Sequence, residues 1–343
     1  MDEDIISPHI LDNTETTFDL TLRPDTLAQY FVNGKIKPEL YRNLQIFLQA
    51  AQEREEALEH VLFFGPPGLG KTTLAYILGK ELGCTVKVTS GPAIERAGDL
   101  ISILTNLQDK DILFIDEIHR LNKVIEETMY PAMENFEVDI MLGRGPSARS
   151  VRLTLPKITI VGATTRVGNM SAPLRDRFGM HYRLEFYEPH ELVYIIQRSA
   201  QLLSIDLTKD ALTQIALRSR GTPRIANRLL RRVRDFAQVK GHKTITDSIV
   251  HEALQLLEID QSGLTLQDRK LLELIIDKFQ GGPVGVETIA AALNEDKETL
   301  EEVTEPFLLQ NGFIKRTLRG REITQKGRQH IGREKDSKQE PFL

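Results

Sequence analysis

The sequence has a single cysteine, Cys84, among 343 residues. An intrachain disulfide is therefore excluded, and this usage fits the reducing cytosol, so a cytoplasmic location is expected. Cys84 lies between a predicted helix and a predicted strand over 85–89. We expect it to occupy a buried strand position rather than to act as a reactive thiol.

Long apolar runs and a basic-then-apolar N-terminal signal are also missing, so neither a transmembrane segment nor a secretory signal is predicted. The sequence shows no internal repeat. Its formal net charge of −5 argues against a surface that is basic throughout and binds nucleic acid everywhere. Local basic patches are compatible with this charge. The length predicts two or three domains.

A glycine-rich segment, GPPGLGKTT over 65–73, follows the apolar run VLFF and precedes a helical pattern. Strand, glycine-rich loop and helix in this order are typical of a phosphate-binding P-loop, in which backbone N–H groups and a helix N-terminus face the anion. Lys71 would reach the outer phosphates, and the Thr72 hydroxyl would hold Mg²⁺. The alternative is a glycine-rich turn without a ligand, but the spacing and the flanks favour the P-loop.

The segment ILFIDE over 112–117 places two carboxylates directly after four apolar residues. This pattern indicates a buried parallel strand that ends at the ligand-binding edge of an open α/β sheet. As a Walker B motif, Asp116 would hold Mg²⁺ and Glu117 would polarise the attacking water. A plain strand end is the alternative, and the P-loop upstream favours the functional interpretation.

Residues 136–155 alternate apolar and polar on both sides of a Gly/Pro turn, which predicts a β-hairpin. Its apolar residues either face the core or project toward a partner, and the candidates for the second role are Val138, Ile140 and Leu153. The next strand, predicted over 157–163, ends in Thr164 and Thr165 at the same sheet edge.

Two arginines, Arg175 and Arg177, flank an acid. They either form ion pairs on the surface or place a guanidinium group against a phosphate. Beyond residue 185 the pattern becomes helical, and Arg224 lies in the first turn of a helix behind a Gly-Thr-Pro cap. The other arginines of that helix, which we expect on a solvated face, are Arg228, Arg231, Arg232 and Arg234.

Residues 260–330 predict three helices and a two-stranded ribbon, the pattern of a winged helix. Residues 312–333 contain seven Lys or Arg and one acid. This local excess indicates a nucleic-acid footprint whose phosphate contacts depend on salt but not on base sequence. A solubilising tail is the alternative.

These motifs occur in the order of the AAA+ ATPases. The longer matches GPPGLGKTTLA, LFIDEIHRL, VGATTR, PLRDRFG, GTPRIANRLLRR and GFIKRTLRGR resemble the RuvB family of bacterial motors for Holliday-junction branch migration. The resemblance implies an α/β P-loop AAA+ core, with a parallel sheet flanked by helices, an α-helical lid domain and a C-terminal winged-helix domain. We place a disordered leader at 1–17, the core at 18–185 with the inserted hairpin 136–155, the lid at 186–259, the winged helix at 260–330 and a disordered tail at 331–343.

The resemblance also implies roles for single residues. Thr165 resembles sensor 1 and Arg224 resembles sensor 2. Arg177, with Arg175 as the weaker candidate, resembles the finger that enters a neighbour's site. With Glu117, the catalytic candidates are thus Thr165, Arg177 and Arg224. The nucleotide-binding candidates are Leu22, Arg23, Gly68, Gly70, Lys71, Thr72, Thr73, Glu134, Asn135, Phe136, Arg177, Tyr187 and Arg224. The wing candidates for DNA contact are Arg316 and Arg321.

The implied cofactors are ATP and Mg²⁺. The implied partners are the duplex arms of four-way DNA junctions, RuvA docked on hairpin 136–155, RuvC in a resolvase complex and further copies in a homohexamer, with no membrane. The implied function is an ATP-driven translocase that promotes branch migration in DNA recombination and repair. Two alternatives remain: a clamp-loader or initiator-type AAA+ protein, and a nucleotide-switched DNA-binding adaptor. A winged helix alone does not separate these three.

Overall fold

A computed structural model describes residues 21–142 and 149–332. The predicted leader, the Gly/Pro turn of the hairpin and the tail from residue 333 onward lie outside the described residues. The chain divides into two compact units, Leu20–Phe186 and a second unit that begins at Tyr187. Within the described ranges, no helix is both long and apolar enough to cross a membrane.

The first unit is an α/β domain. Its strands are β1 (Val61–Phe64), β2 (Val86–Ser90), β3 (Ile112–Asp116), β4 (Glu137–Leu142), β5 (Arg149–Thr154), β6 (Thr159–Thr164) and β7 (Met180–Arg183). Five of them form a parallel sheet in the order β2-β3-β6-β1-β7. The central strands β1, β3 and β6 are almost entirely buried, which explains why they are apolar runs without alternation.

Helices flank this sheet. They are α1 (Leu27–Tyr30), α2 (Pro38–Arg54), α3 (Lys71–Leu82), α4 (Ala97–Thr105), α5 (Lys123–Glu134) and α6 (Ala172–Asp176). Local chemistry sets their ends: α2 begins with Pro38 at its first position, and α5 begins where the Asn122 side chain accepts the Ile125 N–H. The predicted P-loop α/β class is confirmed.

Two details differ from expectation. β7 was not predicted, because a run of only four residues, MHYR, is too short to indicate a strand by itself; pairing with β1 at the sheet edge makes it a strand. Cys84 was expected within a strand, but it is half-buried and precedes β2. Gly83 ends α3 in a left-handed conformation and the Cys84 N–H bonds back to Gly79 O, so Cys84 belongs to the helix terminus. Burial raises the pKa of its thiol.

The hairpin strands β4 and β5 pair antiparallel, and one face carries the apolar pairs Val138 with Leu153 and Ile140 with Val151. Val138 is fully buried in the core of the first unit, so it is not available to a partner. Ile140 and Leu153 are half-buried, and Val151, which pairs with Ile140, is exposed. The candidate partner surface is therefore the outer part of this face.

The second unit begins with a helical segment and ends with a winged helix. The first segment contains α7 (Pro189–Leu202), β8 (Asp206–Leu207), α8 (Lys209–Arg218), α9 (Pro223–Val239), β9 (Thr244–Ile245) and α10 (Asp247–Leu256). On α9, Arg228 is buried, and Arg231, Arg232 and Arg234 are half-buried. Arg228 therefore does not lie on the expected solvated face, and the other three are only partly exposed.

The winged-helix segment contains α11 (Leu266–Phe279), α12 (Val286–Leu293), α13 (Lys297–Thr299), a π turn (Leu300–Thr304), α14 (Glu305–Gln310), β10 (Ile314–Thr317), β11 (Gly320–Ile323) and α15 (Gln325–His330). β10 and β11 form the antiparallel wing, and Val284 adds a bridge to Arg321. The apolar core of this segment lies between α11, α12, α14 and the wing.

Candidate functional site

The P-loop connects β1 to α3 and is shaped by glycines. Gly65, Gly68 and Gly70 have φ values of 145°, 78° and 93°, a region that other residues rarely adopt. A Cβ at Gly65 would lie 2.2 Å from the Leu184 carbonyl oxygen, and one at Gly70 would lie 2.7 Å from the Tyr30 hydroxyl. The loop therefore requires glycine at both of these positions.

Donors for an anion converge at the start of α3. The helix begins at Lys71, and no side chain of the described residues caps its N-terminus. Its first N–H groups therefore carry the positive end of the helix dipole. Lys71 Nζ donates to the carbonyl oxygens of Gly65 at 2.8 Å and Pro66 at 2.9 Å, which holds the ammonium inside the loop. This arrangement fits a nucleotide polyphosphate.

The catalytic candidates Glu117 and Thr165 lie at the carboxyl ends of neighbouring strands. Glu117 follows β3 and Thr165 follows β6, and Thr165 Oγ1 donates to Glu117 Oε2 at 3.2 Å. Asp116 Oδ1 accepts the Glu117 N–H at 3.0 Å. Because β1 pairs with the other side of β6, the P-loop shares this sheet edge with the acids and Thr165.

Oxygen ligands for a metal are present at the same edge. Thr72 lies in the first turn of α3 and Asp116 ends β3. The described part of the chain contains no cluster of three or more His, Cys, Asp or Glu side chains that could hold a metal ion. Mg²⁺ at a nucleotide site keeps several waters and needs only one or two protein ligands. Thr72 and Asp116 therefore fit Mg²⁺ held mainly by nucleotide and water.

The surroundings of Glu117 keep its carboxylate ionised. His119 Nδ1 lies 3.1 Å from Glu117 Oε2 and 2.9 Å from Thr164 Oγ1. Burial acts to raise the pKa of Glu117, but the hydrogen bond and charge of His119, followed by the charge of Lys71, lower this pKa below its ordinary value. His119 was not singled out from sequence, although it stands two residues after the Walker B glutamate.

Arg177 follows α6 and is fastened to the end of α5. Its Nη2 lies 2.9 Å from Glu134 Oε1, and its Nη1 donates to Pro173 O at 2.7 Å. The guanidinium lies 4.1 Å from the centroid of the Tyr130 ring. Glu134 and Asn135 are exposed. The finger candidate and the exposed end of α5 therefore form one cluster.

Two other predicted residues near this cluster have different surroundings. The Phe136 ring is half-buried against the core, with its centroid 6.3 Å from that of His60, so it anchors the turn between α5 and β4. Arg175 Nε lies 3.9 Å from an Asp176 carboxylate oxygen. This is the surface ion pair that the sequence allowed.

The segment before the P-loop contains the predicted residues Leu22 and Arg23 and also Tyr30, which the sequence analysis did not identify. Leu22 is buried, and the Arg23 guanidinium lies 5.4 Å from the centroid of the Tyr76 ring on α3. Tyr30 donates its hydroxyl to Leu69 O in the P-loop at 2.9 Å. No local pattern marks Tyr30, because its role depends on how α1 packs beside the loop.

Tyr187 and Arg224 belong to the second unit. Tyr187 is buried, and its N–H donates to Gly221 O at 2.8 Å. Thr222 Oγ1 accepts the Ile225 N–H at 3.4 Å, and Pro223 opens α9. Arg224 therefore lies in the first turn of α9, at the positive end of its helix dipole.

The wing arginines differ from each other. Arg316 is 55% exposed, and its Nη2 lies 2.7 Å from Glu305 Oε2. Arg321 is only 10% exposed, and it contacts Glu305 at 2.5 Å and Glu301 at 3.3 Å. Arg321 therefore takes part in a largely buried ion-pair cluster, and its contact with DNA stays a prediction. Glu305 is 1% exposed and needs a cationic partner, which the charge pattern of the wing alone did not reveal.

Fold and site together define a P-loop ATPase of the AAA+ class that carries a lid and a winged helix. Family models match three consecutive segments: the Holliday junction DNA helicase RuvB P-loop domain over residues 22–184, the RuvB AAA lid domain over 187–260 and the RuvB C-terminal winged helix domain over 261–332. The chain belongs to the RuvB family, as the sequence motifs predicted.

Solved structures agree with this assignment. The chain is 46% identical to the Thermotoga maritima RuvB Holliday junction branch migration motor, with a TM-score of 0.82 over 92% of this chain and 99% of that chain. A mutant of the Thermotoga maritima protein has 46% identity and a TM-score of 0.83 over 91% of this chain and 99% of that one.

Proposed function

We propose that the protein is an ATP-driven motor that moves four-way DNA junctions by branch migration, working with RuvA as a ring of identical subunits. The contact between Glu117 and Thr165 beside the P-loop carries this proposal. It joins a water-activating carboxylate to a group that can sense the γ-phosphate. A hydrolytic engine needs this pair, whereas an adaptor that only binds nucleotide does not.

Each residue has a role that follows from its position. The P-loop, with Gly68, Gly70, Lys71 and Thr73, binds the phosphates. Thr72 and Asp116 would hold Mg²⁺, which would supply positive charge to the phosphates. Glu117 orients the attacking water, because a carboxylate that stays ionised can accept its proton. Leu22, Arg23 and Tyr187 enclose the rest of the nucleotide.

The second half of the site comes from an adjacent subunit. Arg177 is the finger that supplies positive charge to the neighbour's transferring phosphoryl group, a contribution of roughly 10³–10⁵ in rate. Glu134 and Asn135 belong to the same surface, since Glu134 contacts Arg177 directly. Thr165 and Arg224 report the loss of the γ-phosphate from within the subunit. Hydrolysis therefore depends on ring assembly, and a homohexamer is the assembly that we propose.

The DNA and partner surfaces lie outside the catalytic centre. The wing binds duplex arms through Arg316 and the exposed Arg319 at its tip. The outer apolar face of the hairpin docks RuvA, and RuvC joins the complex when the junction is cut. We propose the domain limits 18–185, 186–259 and 260–330, which agree with the family-model segments and the unit boundary at Tyr187. Since the substrate is cellular DNA, the protein works in the cytoplasm.

The direct test is branch migration of a synthetic four-way junction by the purified protein, with ATP and Mg²⁺, with and without RuvA. We expect ATP-dependent product from the wild type and none from Glu117→Gln, which keeps the size of the side chain but cannot act as a base. ATP hydrolysis and junction binding without any branch migration would favour the clamp-loader or adaptor alternative.

A further inference from the structure

The lid and the winged helix of the second unit meet at a buried joint. Arg220 and Gly221 connect α8 to α9, and their φ values are 53° and 68°. Two consecutive left-handed residues turn the chain sharply, and Arg220 adopts this conformation although it is not glycine. Such a backbone persists only where its surroundings hold it. The winged helix supplies those surroundings.

The Arg220 side chain is 4% exposed and contacts three separate segments of the winged helix. Its Nη2 pairs with Asp268 on α11, and its Nε donates to Gly263 O at 3.0 Å. Its guanidinium lies 4.5 Å from the centroid of the Phe307 ring on α14. Asp268 also accepts the Thr265 N–H at 2.7 Å, which fixes the carboxylate at the start of α11.

A second set of contacts supports the joint. Arg218 Nε donates to Asp260 O at 3.2 Å, and His330 Nε2 lies 2.7 Å from Asp260 Oδ2. A Cβ at Gly263 would lie 3.3 Å from Arg218 Cα, so the two backbones touch. Separation of the lid from the winged helix would break the ion pair with Asp268, the hydrogen bond to Gly263 O and the contact with Phe307 together. The joint therefore resists bending.

We propose that Arg220 is the positioning residue that fixes the winged helix to the lid, so that lid displacement reaches DNA as a rigid movement. Arg224, the sensor candidate, stands four residues after Arg220, in the first turn of α9. The contacts that lock Arg220 thus connect the base of the sensor helix with the DNA-binding domain. This inference rests on the proposed function, because it concerns how the motor's movement reaches its substrate.

Two substitutions test the joint. Asp268→Asn keeps the shape of the side chain and can still accept the Thr265 hydrogen bond, but it removes the charge that pairs with Arg220. Arg220→Lys is the milder variant, since lysine keeps a charge but lacks the fork that reaches both Gly263 and Asp268. Glu287→Gln is the matched control, because Glu287 forms an exposed ion pair with Lys297 inside the winged helix.

Four measurements on full-length protein are needed: DNA-stimulated ATPase, duplex binding, branch migration with RuvA, and the spin–spin distance between labels at the exposed positions Val239 and Lys278 in a Cys84→Ser background. We expect ATPase and binding to remain near wild type, migration per ATP to fall about tenfold or more, and the distance distribution to broaden. The control should change none of these.

Unchanged migration per ATP together with an unchanged distance distribution would overturn the proposal. So would a loss of ATPase that matches the loss of migration, because the defect would then lie in the catalytic centre. Failure of the proposed function has a different signature: the wild type itself would not migrate junctions. The distance measurement reports the joint independently of that result.

Discussion

Single side chains set the charge state on which hydrolysis depends. Burial alone would favour protonated Glu117, but His119 and Lys71 lower the pKa of its carboxyl. His119 also contacts Thr164, the residue before the sensor candidate. One imidazole ring therefore positions the base and the end of β6 together, and the base remains ionised at neutral pH.

Replacement of His119 should therefore change the pH profile of ATP hydrolysis. In His119→Asn the pKa of Glu117 should rise, because the hydrogen bond and the charge of His119, which lower this pKa most, are removed. The acid limb of the kcat profile should then move to higher pH. His181→Asn is the control, since His181 is exposed and contacts Arg175 O instead. An acid limb that stays at the wild-type pH would show that His119 does not tune the base.

A second histidine, His60, links stability to pH. Its Nδ1 accepts the Ile160 N–H at 2.9 Å and its Nε2 lies 3.1 Å from Met133 O. Burial lowers the pKa of His60, so below about pH 6.5 the unfolded chain binds a proton that the folded chain excludes. The free energy of unfolding is therefore expected to be higher above that pH and to fall until the folded pKa is reached.

The test compares unfolding midpoints of wild type and His60→Gln at about pH 7.5 and about pH 5.5. The variant should be less stable at both pH values, because it loses a buried hydrogen bond, but its midpoint should depend less on pH. His181→Gln should keep the full dependence of the wild type. Equal pH dependence in His60→Gln and wild type would contradict this assignment.

Among the elements, the β4–β5 hairpin has one face that is buried in the core at its base and exposed further out. Val138 is buried in the core, Leu153 and Ile140 are half-buried, and Val151 is exposed. The opposite face carries Arg152 and Asp139, which form a hydrogen-bonded ion pair at 3.1 Å. Substitutions at Ile140 and Val151 can therefore disrupt partner binding without disturbing the buried Val138.

Val151→Ser and Ile140→Ser should abolish RuvA docking, because they remove apolar area from the outer part of this face, while basal ATPase stays near wild type. Binding to RuvA and ATPase without DNA are the measurements. Arg152→Ala, on the opposite face, is the control and should bind normally. If Val151→Ser binds RuvA as well as wild type does, the docking surface lies elsewhere.

The wing gives opposite expectations for two arginines on the same ribbon. Arg316→Ala should weaken duplex binding and reduce the salt slope by about one, because an exposed phosphate contact is lost. Arg321→Ala should instead lower the free energy of unfolding of the winged helix, because loss of one partner of a buried ion pair costs roughly 3–5 kcal/mol. We expect a value at the low end of this range, because Arg316 still contacts the buried Glu305. Salt titrations and thermal unfolding separate the two. A stable Arg321→Ala with a reduced slope would show that Arg321 contacts DNA rather than stabilising the winged helix.

Local patterns predicted most of the core but not the contacts between distant segments. The P-loop, β3 and the cap before Arg224 are specified by neighbouring residues, so their positions could be inferred. Tyr30 and the burial of Arg321 depend on tertiary packing, which charge counts and periodicity do not contain. Edge strand β7 was missed for the same reason, since pairing with β1 rather than its own sequence makes it a strand.

In the whole molecule, we propose that the catalytic centre is divided between subunits. The P-loop, Glu117 and Thr165 form one half on the sheet edge, and the Arg177 cluster at the end of α5 forms the other. Glu134 holds the Arg177 guanidinium in place, so the finger is preorganised before a neighbour arrives. In the proposed ring, assembly would supply the missing charge without new folding, and the ring would be the unit of activity.

The most direct measurement mixes two inactive proteins. Arg177→Ala keeps an intact P-loop, and Lys71→Ala keeps an intact finger. An interface between the two contains one complete site, so we expect the mixture to recover ATP hydrolysis that neither variant shows alone. If the mixture remains as inactive as its components although mixed rings form, or if isolated wild-type subunits hydrolyse ATP at the full rate, the shared active site is contradicted.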